Sequence, residues 1–158
     1  MKTNLRLLFA IPIFFLSFSG FSQDVFWQET SANASNVSGK LQKLSILKAK
    51  TFTLNDLDFK ANLEKKVSAK GNYVLYFPGE NGELIAFDVQ ESSVMAPELA
   101  KKYPNIKSYR GVGSSDRSKN IRFSVSPKGV QSMMVDKKSS EATFMQKLDG
   151  DDYILYTR

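Results

Sequence analysis

The chain contains no cysteine and no histidine among its 158 residues. The first absence excludes disulfides, thiol nucleophiles, thiolate metal sites and a cysteine-based latency switch. The second excludes a Ser-His-Asp triad, and it excludes the zinc site of the main metallopeptidase type, which needs two His on one helical face beside a Glu acting as general base. Stability therefore has to come from a packed core. No apolar run beyond Phe18 approaches the ~20 residues that a bilayer span requires, and no internal repeat is visible. A concentrated basic patch is also missing. The 22 Lys and Arg face 16 Asp and Glu, but they fall in short pairs such as Lys48/Lys50, Lys65/Lys66, Lys101/Lys102 and Lys137/Lys138, each with polar or acidic neighbours. A nucleic-acid surface wants gathered charge with stacking aromatics, so these pairs read as solvated faces, and no nucleic-acid partner is expected.

What is present begins with an export signal. Lys2 and Arg6 form a positive start, Leu7 to Phe18 is apolar apart from Pro12 and Ser17, and Gly20 and Ser22 are small residues placed for cleavage after Ser22. That order marks a secretory signal peptide over residues 1–22; the run is short for a membrane anchor. The expectation is export to the periplasm or beyond, with no membrane attachment after cleavage. The chain from Gln23 keeps 20 basic and 16 acidic residues and suits one domain able to bury a core. Glu29 to Lys40 is rich in Ser, Asn, Ala and Gly, with Val37 its one large apolar residue, so residues 23–45 read as a polar, flexible lead-in to a domain over 46–158. Leu41, Leu44, Ile46 and Leu47 open an apolar pattern there. At the other end, Arg158 directly follows a strand-like run with no turn or polar tail, which carries the expectation that this is a piece of a longer polypeptide.

Thr51 to Asn55 alternates like a short strand. Asn55 then suits a helix N-cap, with Asp56 and Asp58 at the positive helix end. Leu57 with Ala61, and Phe59 with Leu63 and Val67, are spaced four apart and predict an apolar helix side ending near Val67. Tyr73–Phe77 and Leu84–Val89 read as strands around an Asn81-Gly82 turn, a strong hairpin signal. Ala96–Tyr103 reads as a short helix, with Pro97 in its first turn and Pro104 as its stop. Further strands are expected from Lys107, over Ile121–Val125 and Val130–Val135, and in a last hairpin of Ala142–Leu148 and Tyr153–Thr157. The fold class is therefore mainly β (α+β): an antiparallel sheet of six or seven strands built from hairpins, with two short helices.

Other groupings weigh little as chemistry. Ser45 and Lys48 have Ser-x-x-Lys spacing without a helix start. Glu80 with Glu83, and Glu91 with Glu98, are carboxylate pairs that nothing aims at a common cleft, as glycoside hydrolysis requires. Asp149-Gly150-Asp151-Asp152 lacks the alternating ligands and distal Glu of a calcium loop and reads as a turn. Gly111-Val112-Gly113 completes neither phosphate fingerprint, so these glycines are expected to provide positive φ in a loop. No catalytic, metal or cofactor-binding residue is assigned in this chain.

One block is more specific: Met95-Ala96-Pro97-Glu98-Leu99-Ala100-Lys101-Lys102-Tyr103-Pro104, followed by Ile106-Lys107-Ser108-Tyr109-Arg110-Gly111. Together with Leu54-Asn55-Asp56-Leu57, Tyr76-Phe77-Pro78-Gly79-Glu80-Asn81-Gly82, Phe87-Asp88-Val89-Gln90-Glu91-Ser92, Ile121-Arg122-Phe123-Ser124 and Ser126-Pro127-Lys128-Gly129, it resembles the N-terminal pro-region of secreted bacterial reprolysin-like zinc metallopeptidases. The resemblance covers about two thirds of the chain. It implies a non-catalytic role, assisting folding of a downstream peptidase domain and keeping that zymogen latent, with zinc belonging to the absent catalytic domain. Attachment would give the pro-region a high local concentration and let it stabilise its partner by mass action. Without Cys, a latency ligand to that zinc would be an oxygen, and Asp116 on the Gly111–Asp116 loop is the candidate. Met95 and Arg110 are the other candidate partner contacts, while Leu99 and Tyr103 are expected to face the domain's own core. The rival expectations are a stand-alone secreted β-rich module that binds a peptide, glycan or surface partner, and an enzyme using carboxylates alone.

Overall fold

A computed structural model describes residues 25–30, 49–68 and 72–157. The signal segment and most of the expected lead-in lie outside these residues. The described part is mainly β: one antiparallel sheet with two helices. Its elements are β1 (Trp27–Thr30), β2 (Ala49–Leu54), α1 (Asp56–Ser68), β3 (Tyr73–Pro78), β4 (Leu84–Glu91), α2 (Pro97–Lys102), β5 (Lys107–Gly113), β6 (Lys119–Ser126), β7 (Gly129–Asp136), β8 (Ala142–Lys147) and β9 (Asp152–Thr157). The spatial order is β1-β2-β9-β8-β7-β6-β5-β4-β3, antiparallel throughout. The sheet curls into a half-barrel around α1.

Nine strands among the described residues correct the expected six or seven. β1 lies within the stretch read as a flexible lead-in. Four residues with one apolar member carry almost no periodic signal. The strand exists because it pairs with β2, Trp27 opposite Leu54 and Thr30 opposite Thr51, and because Trp27 is buried.

Side chains alternate across the sheet. The concave face carries Phe52, Leu54, Leu75, Phe77, Phe87, Val89, Tyr109, Ile121, Phe123, Met145, Tyr153 and Leu155, all buried. Phe77 lies 4.8 Å from Phe123, and Tyr109 stacks on Phe123 at 4.8 Å between ring centroids. Helix α1 fills the hollow. Asn55 caps it as expected: its Oδ1 accepts the Asp58 N–H at 3.2 Å while its Nδ2 donates to Asp58 Oδ2 at 2.6 Å. Phe59 and Leu63 are buried, with Val67 packed beside them, and each of the two contributes about 1.5–3 kcal/mol by leaving water. The expected Leu57/Ala61 pair is a correction: both are exposed, Leu57 at 80%. The helix touches the sheet along one narrow stripe, and residues two positions off it face solvent.

A partly buried polar node fixes the start of α1. Asp56 accepts from Tyr153 Oη at 2.6 Å and from Lys147 Nζ, and Tyr153 Oη in turn accepts the Val130 N–H at 3.2 Å. Gly129 stands against this node with φ +101°; a Cβ there would come within 2.6 Å of Tyr153 Oη.

Gly111 and Gly113 do not supply positive φ, as their loop reading required; among the described residues that conformation occurs at Gly82, Gly129, Gly150 and Ser140. They lie in β5 and need the absence of a Cβ. At Gly111 it would meet the Val89 and Ile121 side chains at 3.0 Å, and at Gly113 the Asp116 carbonyl at 2.3 Å.

The two edge strands, β1 and β3, are not hydrogen-bonded to each other but come into contact. Trp27 packs 5.8 Å from Phe77, and both lie near Phe59 of α1. The curl is therefore joined by aromatic side chains rather than by a ladder.

Candidate functional site

Over β4 to β7 the convex face carries exposed side chains, and its register sets the site. Arg110 of β5 lies opposite Gln90 of β4 and Arg122 of β6. Arg122 lies opposite Met133, Met133 opposite Phe144, and Phe144 opposite Tyr156. One transverse row thus runs from two arginines through a methionine to two aromatics. Both arginines are exposed. The Gln90 carboxamide, oriented with its oxygen toward Arg110, accepts from Nε and Nη2 at 2.7 and 2.8 Å. Among the described residues neither Arg110 nor Arg122 meets a carboxylate; the arginine so paired is Arg117, with Asp88. Like charges directly opposite across a ladder are unfavourable, so this pair costs the fold stability.

Beside the arginines a groove of about 370 Å³ runs over the sheet, bordered by Val94, Arg122, Gln131, Met133, Phe144 and Gln146. Val94 is 67% and Met133 38% exposed. Phe144 stacks on Tyr156 at 5.5 Å, and Gln146 donates to Tyr156 Oη at 2.8 Å. Ile154 and Tyr156 are buried on this face although they belong to no part of the concave core.

The three expected contact residues do not form one site. Arg110 lies in the convex row. Met95 sits in the β4–α2 connection, half-buried beside a small recess with Glu91, Ala100 and Ile106. Helix α2 has no buried residue, which corrects the expectation that Leu99 and Tyr103 face the core; they are 46% and 45% exposed. Six residues make under two turns, and the helix lies on the surface as a spur.

Asp116 is at the far end of β5. Its Oδ1 accepts from the Ser118 N–H at 3.1 Å, from Ser118 Oγ at 2.8 Å and from Lys138 Nζ at 3.1 Å. The Ser118 bonds and then Lys138 hold its carboxyl below the usual carboxylate range. Asp136 next to it is pulled down to about 2, chiefly by Lys119, which bonds it at 2.8 Å. Asp116 thus ties the β5–β6 loop to the β7–β8 turn. Among the described residues no three His, Cys, Asp or Glu gather as a metal would need.

The carboxylates of the other candidate pairs act in turns or stand in solvent. Glu83 accepts the Asn81 N–H at 3.1 Å in the β3–β4 turn, and Glu91 and Glu98 are exposed. Asp149 likewise serves its turn, accepting the Gly150 N–H at 2.9 Å. A second cleft, also about 370 Å³, lies where α1 meets β5 and β6, lined by Lys60, Glu64, Lys107 and Tyr109 among others. Near it, burial and then Glu91 push the Tyr73 hydroxyl up to about 12, and burial raises Tyr109 further. Tyr73 Oη is buried without a hydrogen-bond partner among the described residues.

Sequence reasoning found Arg110 but missed Arg122, Met133 and Phe144. Alternation in Ile121–Val125 does place Arg122 outward, yet only the β5–β6 register sets it opposite Arg110. The chain matches no family model, no curated protein and no solved structure.

Proposed function

We propose that this chain is the non-catalytic pro-region of an exported zinc metallopeptidase, a partner-binding domain that assists folding of the peptidase and holds it latent. The observation that carries the reading is the convex face: an uncompensated arginine pair beside exposed Val94 and Met133, on a sheet whose hollow is already filled by α1. Exposed apolar residues rimmed by polar ones mark interaction surfaces, and a filled hollow directs binding outward. The leader-like N-terminus and the Met95–Gly111 resemblance supply the partner class. Latency then arises from docking that covers the peptidase cleft. Asp116 has a weaker claim as a zinc ligand, because coordination would first have to break its bonds to Ser118 and Lys138.

The experiment begins with the reading frame beyond codon 158. A His-Glu-x-x-His segment there identifies the peptidase. This chain, added in trans, is then expected to inhibit that enzyme and raise its refolding yield. A frame without a zinc-peptidase segment, or an enzyme indifferent to the added chain, removes the pro-region reading and leaves a stand-alone binding module.

A further inference from the structure

We infer that the convex row from Arg110 to Phe144 is a docking site for an extended peptide segment of a protein partner, carrying carboxylates three residues ahead of a large apolar side chain. The inference deepens the binding-domain reading and rests on it. Two arginines lie directly opposite each other, neither meeting a carboxylate among the described residues, and the next two positions of the same row are Met133 and Phe144. The sheet holds this arrangement at a cost, since opposed like charges repel. An incoming carboxylate removes the cost and gains bidentate hydrogen bonds from the Arg122 guanidinium, while Arg110 keeps its Nε and Nη2 on Gln90.

Spacing sets the ligand. Neighbouring strands are about 4.8 Å apart, so Arg122 and Phe144, two strands apart, are separated by ~10 Å, close to one three-residue turn of an extended polyproline-II chain, which brings side chains i and i+3 back to the same side. An acidic residue over the arginines therefore puts the side chain three positions later over Met133 and Phe144, in the groove bordered by Val94. Gln131 and Gln146 line the same groove and offer amide donors and acceptors to the segment's backbone.

Charge selects the occupant. From Gln23 onward the chain has 20 basic against 16 acidic residues, a net charge of +4, so a second copy would bring cations to cations. An acidic, apolar-anchored segment of another protein complements both ends of the row.

The test is fluorescence anisotropy with the full chain and two labelled hexapeptides, Glu-Asp-Ala-Ala-Phe-Leu and Lys-Lys-Ala-Ala-Phe-Leu. The acidic peptide is expected to bind at least tenfold more tightly than the basic one and to weaken as salt rises. R110Q/R122Q and, separately, Met133→Lys are each expected to weaken it about tenfold. The arginine double variant should keep or raise the thermal midpoint, which separates lost docking from lost folding. Equal affinity for the two peptides, absence of binding, or binding unchanged in both variants overturns the inference. So does a dimer in sedimentation that Met133→Lys dissolves, because the face then belongs to a second copy. Peptide binding is read without the peptidase. A double variant that still inhibits the peptidase with unchanged affinity therefore removes this face and leaves the pro-region reading, whereas a wild-type chain that binds the peptide and ignores the peptidase does the reverse.

Discussion

Replacing Tyr153 by Phe removes one oxygen from the middle of the molecule and tests what ties helix α1 to the sheet. The Tyr153 side chain is fully buried, so the substitution keeps the ring, its edge contact with Trp27 at 5.1 Å and the local packing. It deletes the 2.6 Å bond to Asp56 and the 3.2 Å bond from the Val130 N–H. A hydrogen bond to a charged group contributes about 1.5–3 kcal/mol, and a buried donor left without a partner costs about 1–3 kcal/mol. Lys147 remains on Asp56 and offsets part of the first loss. The expected destabilisation is therefore about 2–3 kcal/mol. A domain of this size loses about 4 °C of Tm per kcal/mol, so the midpoint should fall by roughly 8–12 °C. Calorimetry and urea denaturation measure the change, with Tyr76→Phe as the control, because no hydrogen bond to the Tyr76 hydroxyl occurs among the described residues. A Tyr153→Phe variant within about 0.5 kcal/mol of wild type, a range typical of surface substitutions, would refute the anchoring role.

Gly129→Ala combines a positive φ with a Cβ 2.6 Å from Tyr153 Oη, so a loss of more than ~1 kcal/mol in chemical denaturation is expected. In alkali, Tyr73, Tyr109 and Tyr153 all have raised pKa values, with burial the first cause of each. The folded state then holds protons that the unfolded state releases near pH 10, and stability should fall as pH rises above 10. Absorbance titration at 295 nm should show Tyr73 ionising only near pH 12, and Tyr109 and Tyr153 only well above the ordinary tyrosine range or on unfolding; ionisation of these three near pH 10 contradicts the burial. In acid, Asp116 and Asp136 have lowered pKa values. Their contribution is complete above about pH 4 and is lost as pH falls toward 2, so Asp136→Asn should flatten the acid limb of a stability-against-pH curve.

The parts that were legible in the sequence are those set by local spacing. Phe59, Leu63 and Val67 announce α1, Asn55 its cap, and Asn81-Gly82 the β3–β4 hairpin. The rest depends on long-range register. Asp56 meets Tyr153 across 97 residues, and Arg110 meets Arg122 only because β5 and β6 pair in one frame. Trp27–Thr30 is too short to carry a period, and its strand is imposed by β2. Leu99 and Tyr103 share the four-residue spacing of Phe59 and Leu63, yet they stay exposed: α2 is under two turns long and buries none of its residues. The sequence marks Asp116 as a loop carboxylate, but its partner Lys138 comes from another hairpin.

The seam between β1 and β3 has a mechanical consequence. Every other junction of the half-barrel must break a run of backbone hydrogen bonds to part, whereas this one is joined by side-chain contacts such as that of the Trp27 indole with the Phe77 ring. A parting there exposes the flank of α1 while leaving all eight strand pairings whole.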